Sequence, residues 1–106
     1  MSIDERIDEL EFKIKKLHEI IVDPRRTKFN HIILDYNLSR NEVNRIFGLM
    51  DEVSTLTHSI ERKTFEAKMY EAIPRLKNES HFAELVVRSL YEDGKYAEIY
   101  KQLYEL

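Results

Sequence analysis

The sequence predicts an all-α protein, a small bundle of about six helices led by a heptad-patterned N-terminal helix. Three observations carry this. Every clear apolar pattern recurs at three or four residues, and none alternates as a strand would. Two Gly and two Pro in 106 residues leave little turn punctuation for a β protein. Ser, Thr or Asp stands ahead of most apolar periods, where helix N-caps belong. The length fits one domain over 1–106, divided into an N-terminal oligomerisation helix over 2–22 and a helical bundle over 24–106. With 42% hydrophobic and 35% charged residues, the composition is neither disordered-like nor membrane-like.

The first helix carries the strongest pattern. Ile3, Ile7, Leu10, Ile14, Leu17 and Ile21 are spaced 4, 3, 4, 3, 4. That is a heptad seam with Ile7, Ile14 and Ile21 at a, and Ile3, Leu10 and Leu17 at d. β-Branched residues at a with mostly Leu at d favour a parallel two-stranded coil. Arg6 at g faces Glu11 at e of a partner helix, an attractive pair, and Lys13 faces His18, close to neutral. The alternative is that the seam packs on the chain's own later helices. Phe12 falls at f, outside the seam, so the helix is expected to touch something on its other side as well. Ser2 and Glu5 form a capping box at its start.

A second helix is predicted from Asp23-Pro24, with Asp as N-cap and Pro at the first helical position. Its core face is Phe29, Ile32, Ile33 and Tyr36, and Asn37 stops it in a left-handed conformation. Ser39 with Glu42 makes a second capping box, and Leu38 with Val43 a hydrophobic staple around it. The third helix runs to about residue 58 on a stripe of Val43, Ile46, Phe47, Met50, Val53 and Leu56. Gly48 inside it is expected to admit a neighbouring backbone. After an indistinct stretch over 57–64, Thr64 caps a fourth helix facing inward with Phe65, Met69, Ile73 and Leu76, which Pro74 kinks or ends. Ser80 caps a fifth, with Phe82, Leu85, Val86 and Leu90 inward, ended by Gly94. The last carries Tyr96, Ile99, Tyr100, Leu103, Tyr104 and Leu106.

Four segments in order, LEFKIKKL (10–17), KFNHIILDYNLSRNE (28–42), DEVS (51–54) and LYEDGKYAEIY (90–100), resemble the YhaI-like family of small bacterial and phage proteins of unknown function. The resemblance implies an all-helical protein with a long leading helix, and it carries over no catalytic or binding residue.

Little in the chain points to catalysis, and the chain is read as not an enzyme. There is no Cys, which excludes disulfides and thiol chemistry and suits a reducing compartment. His18, His31, His58 and His81 form no i, i+4 pair, and His58 with Glu61 is the nearest approach to a ligand pair. The serines lie at caps or within helices rather than at a nucleophile elbow. Gly only at 48 and 94 rules out a phosphate-cradling loop. No metal or cofactor is expected.

Binding is the better expectation. The NLSRNEV turn (37–43) resembles that of a helix-turn-helix, with Arg40, Asn41, Asn44 and Arg45 outward; Arg suits guanine edges and Asn suits adenine. Residues 24–50 hold five Lys/Arg against two acids, a local +3. Against this, Ile33 is large where helix-turn-helix units need a small residue, and Asp51 and Glu52 would repel phosphates. The cap and staple also account for Leu38, Ser39, Glu42 and Val43 by stability alone. Tyr96, Tyr100 and Tyr104 form one i, i+4 stripe, suited either to an interface or to core packing with hydroxyls at the rim. The favoured expectation is a cytoplasmic, self-associating (dimeric) regulator or inhibitor that binds a protein partner. A DNA-binding transcription regulator is the alternative. The acidic start lacks a signal-peptide pattern, no apolar run is long enough to span a membrane, and the net charge of −3 gives no general attraction to nucleic acid.

Overall fold

A computed structural model describes residues 2–56 and 59–105. The described residues form six α-helices and no strand: α1 (Ile3–Val22), α2 (Lys28–Asp35), α3 (Arg40–Ser54), α4 (Arg62–Ala72), α5 (Phe82–Glu92) and α6 (Ala97–Leu103). Single 3-10 turns precede α2 (Pro24–Arg26) and follow α4 (Pro74–Leu76). The all-α expectation holds.

α5 is the centre of the packing. Its Phe82, Ala83, Val86, Val87 and Leu90 are fully buried, and it lies against α2, α4 and α6. α3 packs on α4 and α6, closing the core with Ile46 and Met50. The interior is continuous from Phe29 and Ile33 through Phe65, Met69 and Ile73 to Ile99. Among the described residues no buried side-chain polar atom lacks a hydrogen-bond partner.

The turn between α2 and α3 forms as its residues dictate. Asn37 takes φ 49°. The N–H of Leu38 donates to Ile33 O (2.8 Å) and that of Asn37 to Leu34 O (3.3 Å), the paired bonds of a Schellman stop. Ser39 Oγ accepts from Glu42 N–H (3.1 Å) while the Glu42 carboxylate accepts from Ser39 N–H (2.9 Å). Leu38 and Val43 are buried on either side of this box. Gly94, at φ 83°, ends α5 with the same pair of bonds, from Gly94 N–H to Tyr91 O and from Lys95 N–H to Leu90 O. At Ser2 only half the predicted box forms: its Oγ accepts from Glu5 N–H, but the Glu5 carboxylate bonds the Ser2 hydroxyl.

Several boundaries differ from expectation. The second helix is broken at Thr27, whose hydroxyl donates to Asp23 O (2.8 Å). Asp23 makes no side-chain cap. α2 is instead started by Asp93, whose carboxylate accepts from Lys28 N–H (2.7 Å) and Phe29 N–H (2.9 Å). A negative charge across the positive end of the helix takes two of its orphan donors. α3 stops at Ser54, where the hydroxyls of Ser54 and Thr55 donate to carbonyls of the preceding turn. Leu56 is 40% exposed rather than part of the core stripe, and residues 57 and 58 lie outside the described chain. Thr64 sits inside α4, which starts after Glu61. His81 rather than Ser80 precedes α5, with no side-chain cap of its own. Tyr70 compensates: its hydroxyl accepts from Ala83 N–H and donates to Glu79 O. α6 begins after Tyr96, which is itself in the left-handed region at φ 55°. Leu85 is only partly buried.

Gly48 also departs from expectation. Among the described residues a Cβ there would meet nothing within 4 Å, so none of their backbone approaches it. Its only effect is the entropy cost of Gly within a helix. Gly48→Ala is therefore expected to stabilise the protein by roughly 0.5–1 kcal/mol, read as a higher urea midpoint at unchanged slope.

Candidate functional site

α1 docks onto the body by its polar side. Phe12 is its one buried residue, at 8% exposure. Lys13 Nζ, Lys16 Nζ and the Arg40 guanidinium stand 5.3–5.7 Å from the centre of that ring, in cation–π range. The buried Asn30 amide donates to Lys16 O (3.1 Å) and to Glu19 Oε1 (3.0 Å). Lys13 Nζ reaches Asn37 Oδ1 (3.1 Å). The Glu9 carboxylate accepts from the Arg40 N–H, 3.3 Å to each oxygen.

The apolar seam consequently points away from the protein. Ile3 is 74% exposed, Ile7 46%, Leu10 62%, Ile14 63%, Leu17 49% and Ile21 79%. With 3.6 residues per turn, positions 9, 12, 16 and 19 fall on one side of the helix, and the six seam positions fall on the other. The seam does not pack on the chain's own later helices. Phe12 does supply the expected second contact. An amphipathic helix normally turns its apolar stripe to the core; α1 does the reverse.

The remaining candidate residues divide by their surroundings. Arg40, Asn41, Asn44 and Arg45 are all exposed on α3. Two of the four have roles within the fold: the Arg40 guanidinium covers Phe12, and Arg45 Nη1 lies 3.5 Å from Ala72 O. The Glu9 carboxylate at the N-terminus of α3 occupies the place where a reading helix would meet DNA, and its charge is the wrong sign for that task. Asp51 and Glu52 are exposed further along the same helix.

Tyr96, Tyr100 and Tyr104 are half-buried against the core. Tyr96 donates to Asp51 Oδ1 (2.6 Å), Tyr104 to Glu66 Oε2 (2.8 Å), and Tyr100 stacks on Tyr91 with ring centres 4.3 Å apart. Burial first, then the Asp51 carboxylate, pushes the Tyr96 phenol up to about 12; burial and Glu66 push Tyr104 up as well. Arg62 lies over the Tyr104 ring at 4.7 Å and pairs with Glu66 and Glu84. Leu106 and His58 lie outside the described residues, so the His58–Glu61 pairing is not described. Among the described residues no three His, Asp or Glu side chains gather as a metal site. No described helix is long and apolar enough to cross a membrane.

Three side chains that hold this arrangement carried no sequence signal strong enough to single them out. Asp93 stood before Gly94 as an ordinary helix end. Asn30 sat as one polar residue in the apolar run FNHII. Arg75 followed Pro74, yet its Nε and Nη2 grip both oxygens of Glu42 (2.7 and 2.8 Å) while Nη2 also donates to Tyr36 O and Asn37 O. That guanidinium ties the α2–α3 turn to the end of α4.

Two carboxylates are held below their usual range by these contacts. Glu42 is lowered chiefly by its hydrogen bonds from Arg75, and Glu19 by the Asn30 amide. A carboxyl that is more acidic in the folded state stabilises the fold above its ordinary value near 4.5. That stability is lost as pH falls through the folded value. Thermal melts between pH 7 and pH 3 are expected to show this acid loss, and Arg75→Ala and Asn30→Ala should each flatten it while lowering stability at pH 7.

A family model matches residues 1–106, the whole chain. The chain belongs to DUF1878, described as a protein of unknown function. No curated protein and no solved structure matches it. The inverted docking of α1 is thus a property of a DUF1878 chain read from its own contacts.

Proposed function

We propose that this DUF1878 chain is a non-enzymatic assembly protein that associates with itself through α1 and acts by binding a further protein, as a regulator or inhibitor that occupies its target. The narrower likeness to YhaI-like bacterial and phage proteins rests on the four segments quoted above and adds no residue role. The observation that carries the proposal is the outward seam: six large apolar side chains at heptad spacing, each 46–79% exposed, on a helix fixed to the body by its polar side. Exposed apolar stripes of this kind mark interaction surfaces. The seam's period is that of a coiled coil.

Light scattering across a range of concentrations tests the self-association: the mass per particle should rise to twice the chain mass of 12.8 kDa. A particle of one chain's mass at every concentration would sink it. Affinity capture with the wild-type chain and an α1 seam variant, followed by mass spectrometry, tests for a protein target.

The second reading, a helix-turn-helix regulator, is favoured by the left-handed Asn37 turn and the four exposed residues at the start of α3. The Glu9 carboxylate beside Arg40 weighs against it. Gel shift with random duplex DNA at about 50 mM salt decides, since even non-specific readers bind there.

A further inference from the structure

Resting on the self-association proposed above, we infer that the α1 seam meets the same seam of a second copy in parallel and in register. Three features of α1 point to this polarity. The first is the placement of the body. The residues that hold α1 to the rest of the chain lie at c, f and g: Glu9 and Lys16, Phe12 and Glu19, and Lys13. The body therefore crowds the g flank, while Asp4, Glu11 and His18 on the e flank are exposed. In a parallel pair each g flank faces the other helix's e flank, so the two bodies lie on opposite sides of the coil. In an antiparallel pair g faces g. Both bodies would then fall on the same side over the same stretch of helix, and would collide.

The second feature is charge. Parallel pairing sets Arg6 against Glu11 of the second copy, twice by symmetry. Antiparallel pairing that overlaps the two seams brings Glu11 to Glu11 and Lys13 to Lys13, both repulsive. The third is a groove of about 450 Å³ on the g flank, lined by Arg6, Glu9, Leu10, Lys13, Asn37 and Ser39. It opens where the Glu11 side chain of a parallel second copy arrives, with Arg6 and Lys13 as its cations.

The chain has no cysteine, so one introduced thiol reports without ambiguity. Leu17 is exposed at d and holds nothing in the body, so Leu17→Cys leaves the fold intact. In the parallel coil it meets its own twin, and added oxidised glutathione takes up the two electrons and two protons as the two thiols join in a disulfide-linked dimer. In the antiparallel pair residue 17 faces residue 7, so Leu17→Cys alone stays uncrosslinked and a mixture of Ile7→Cys and Leu17→Cys crosslinks instead. Self-crosslinking of Leu17→Cys supports the inference. Crosslinking only in the mixture overturns the polarity but leaves self-association standing, as light scattering on the same samples shows. A monomeric particle with no crosslink overturns both, and is the outcome if a chain of different sequence covers the seam. Charge reversal gives an independent reading: Arg6→Glu should weaken association about tenfold, and Arg6→Glu with Glu11→Arg should restore it. If the double variant associates no better than Arg6→Glu, the parallel flank pairing is wrong.

Discussion

Leu10→Asp together with Leu17→Asp is expected to abolish the proposed self-association and leave a folded monomer. Both side chains stand at d on the outward face of α1, at 62% and 49% exposure, and neither touches the core. In an isolated chain the two substitutions cost only helix propensity, roughly 0.5 kcal/mol each. In a coil each places an unpaired carboxylate between two apolar helices, which costs several kcal/mol for every charge left buried without a partner. Association should therefore weaken by more than a hundredfold, about 2.7 kcal/mol. Sedimentation or light scattering reads the mass, and circular dichroism reads the helix content, which should be nearly unchanged. The concentration dependence of the melting temperature should disappear in the variant, because it is a mass-action effect of assembly. If the wild-type protein assembles and the variant assembles equally well, the seam is not the contact.

Phe82→Ala is expected to produce the largest loss of stability of any single truncation in α5. Phe82 is fully buried at the start of the central helix and meets Tyr36, the residue capping the end of α2, edge to face, with ring centres 5.0 Å apart. Its removal leaves a cavity where α2 meets α5, at a cost of roughly 3–5 kcal/mol. A domain of this size has about 5–15 kcal/mol in total, so the variant should lose a large part of its margin. Urea unfolding measures the shift. Phe12→Ala provides the contrast. Phe12 is also buried, but beneath a helix held by one face, so its loss should loosen α1 while the melting of α2–α6 changes little. A Phe82→Ala loss below about 1 kcal/mol would mean that α5 is not the packing centre.

Much of the fold was legible because its determinants are local. The Schellman stop at Asn37, the reciprocal Ser39–Glu42 box, the Leu38–Val43 staple and the end of α5 at Gly94 each depend on residues three to six apart. The apolar faces of α4 and α5 followed from helical spacing: Phe65, Met69, Phe82, Val86 and Leu90 are buried, as are Ile73 and Leu76 just past the end of α4, while Leu85 is only partly buried. The errors lie where a distant residue took over. The second helix could not be divided correctly without Asp93, which reaches its N-terminus from 65 positions away. The start of α5 depends on Tyr70 rather than on the adjacent Ser80. Gly48 invited an account in terms of a neighbour, and only the tertiary structure showed that it has none among the described residues.

The heptad pattern in α1 needed no structure to be found, because six residues at spacings of three and four define a stripe on any helix. Which way that stripe faces was beyond the sequence. A stripe can satisfy itself against its own chain or against another, and both choices share one local pattern. The folded chain decides by holding the opposite side of α1: Asn30 grips Lys16 O and Glu19, the Arg40 N–H meets Glu9, and Phe12 enters the body. Those contacts join residues 11 to 31 positions apart, and together they leave the apolar face of the helix open to solvent.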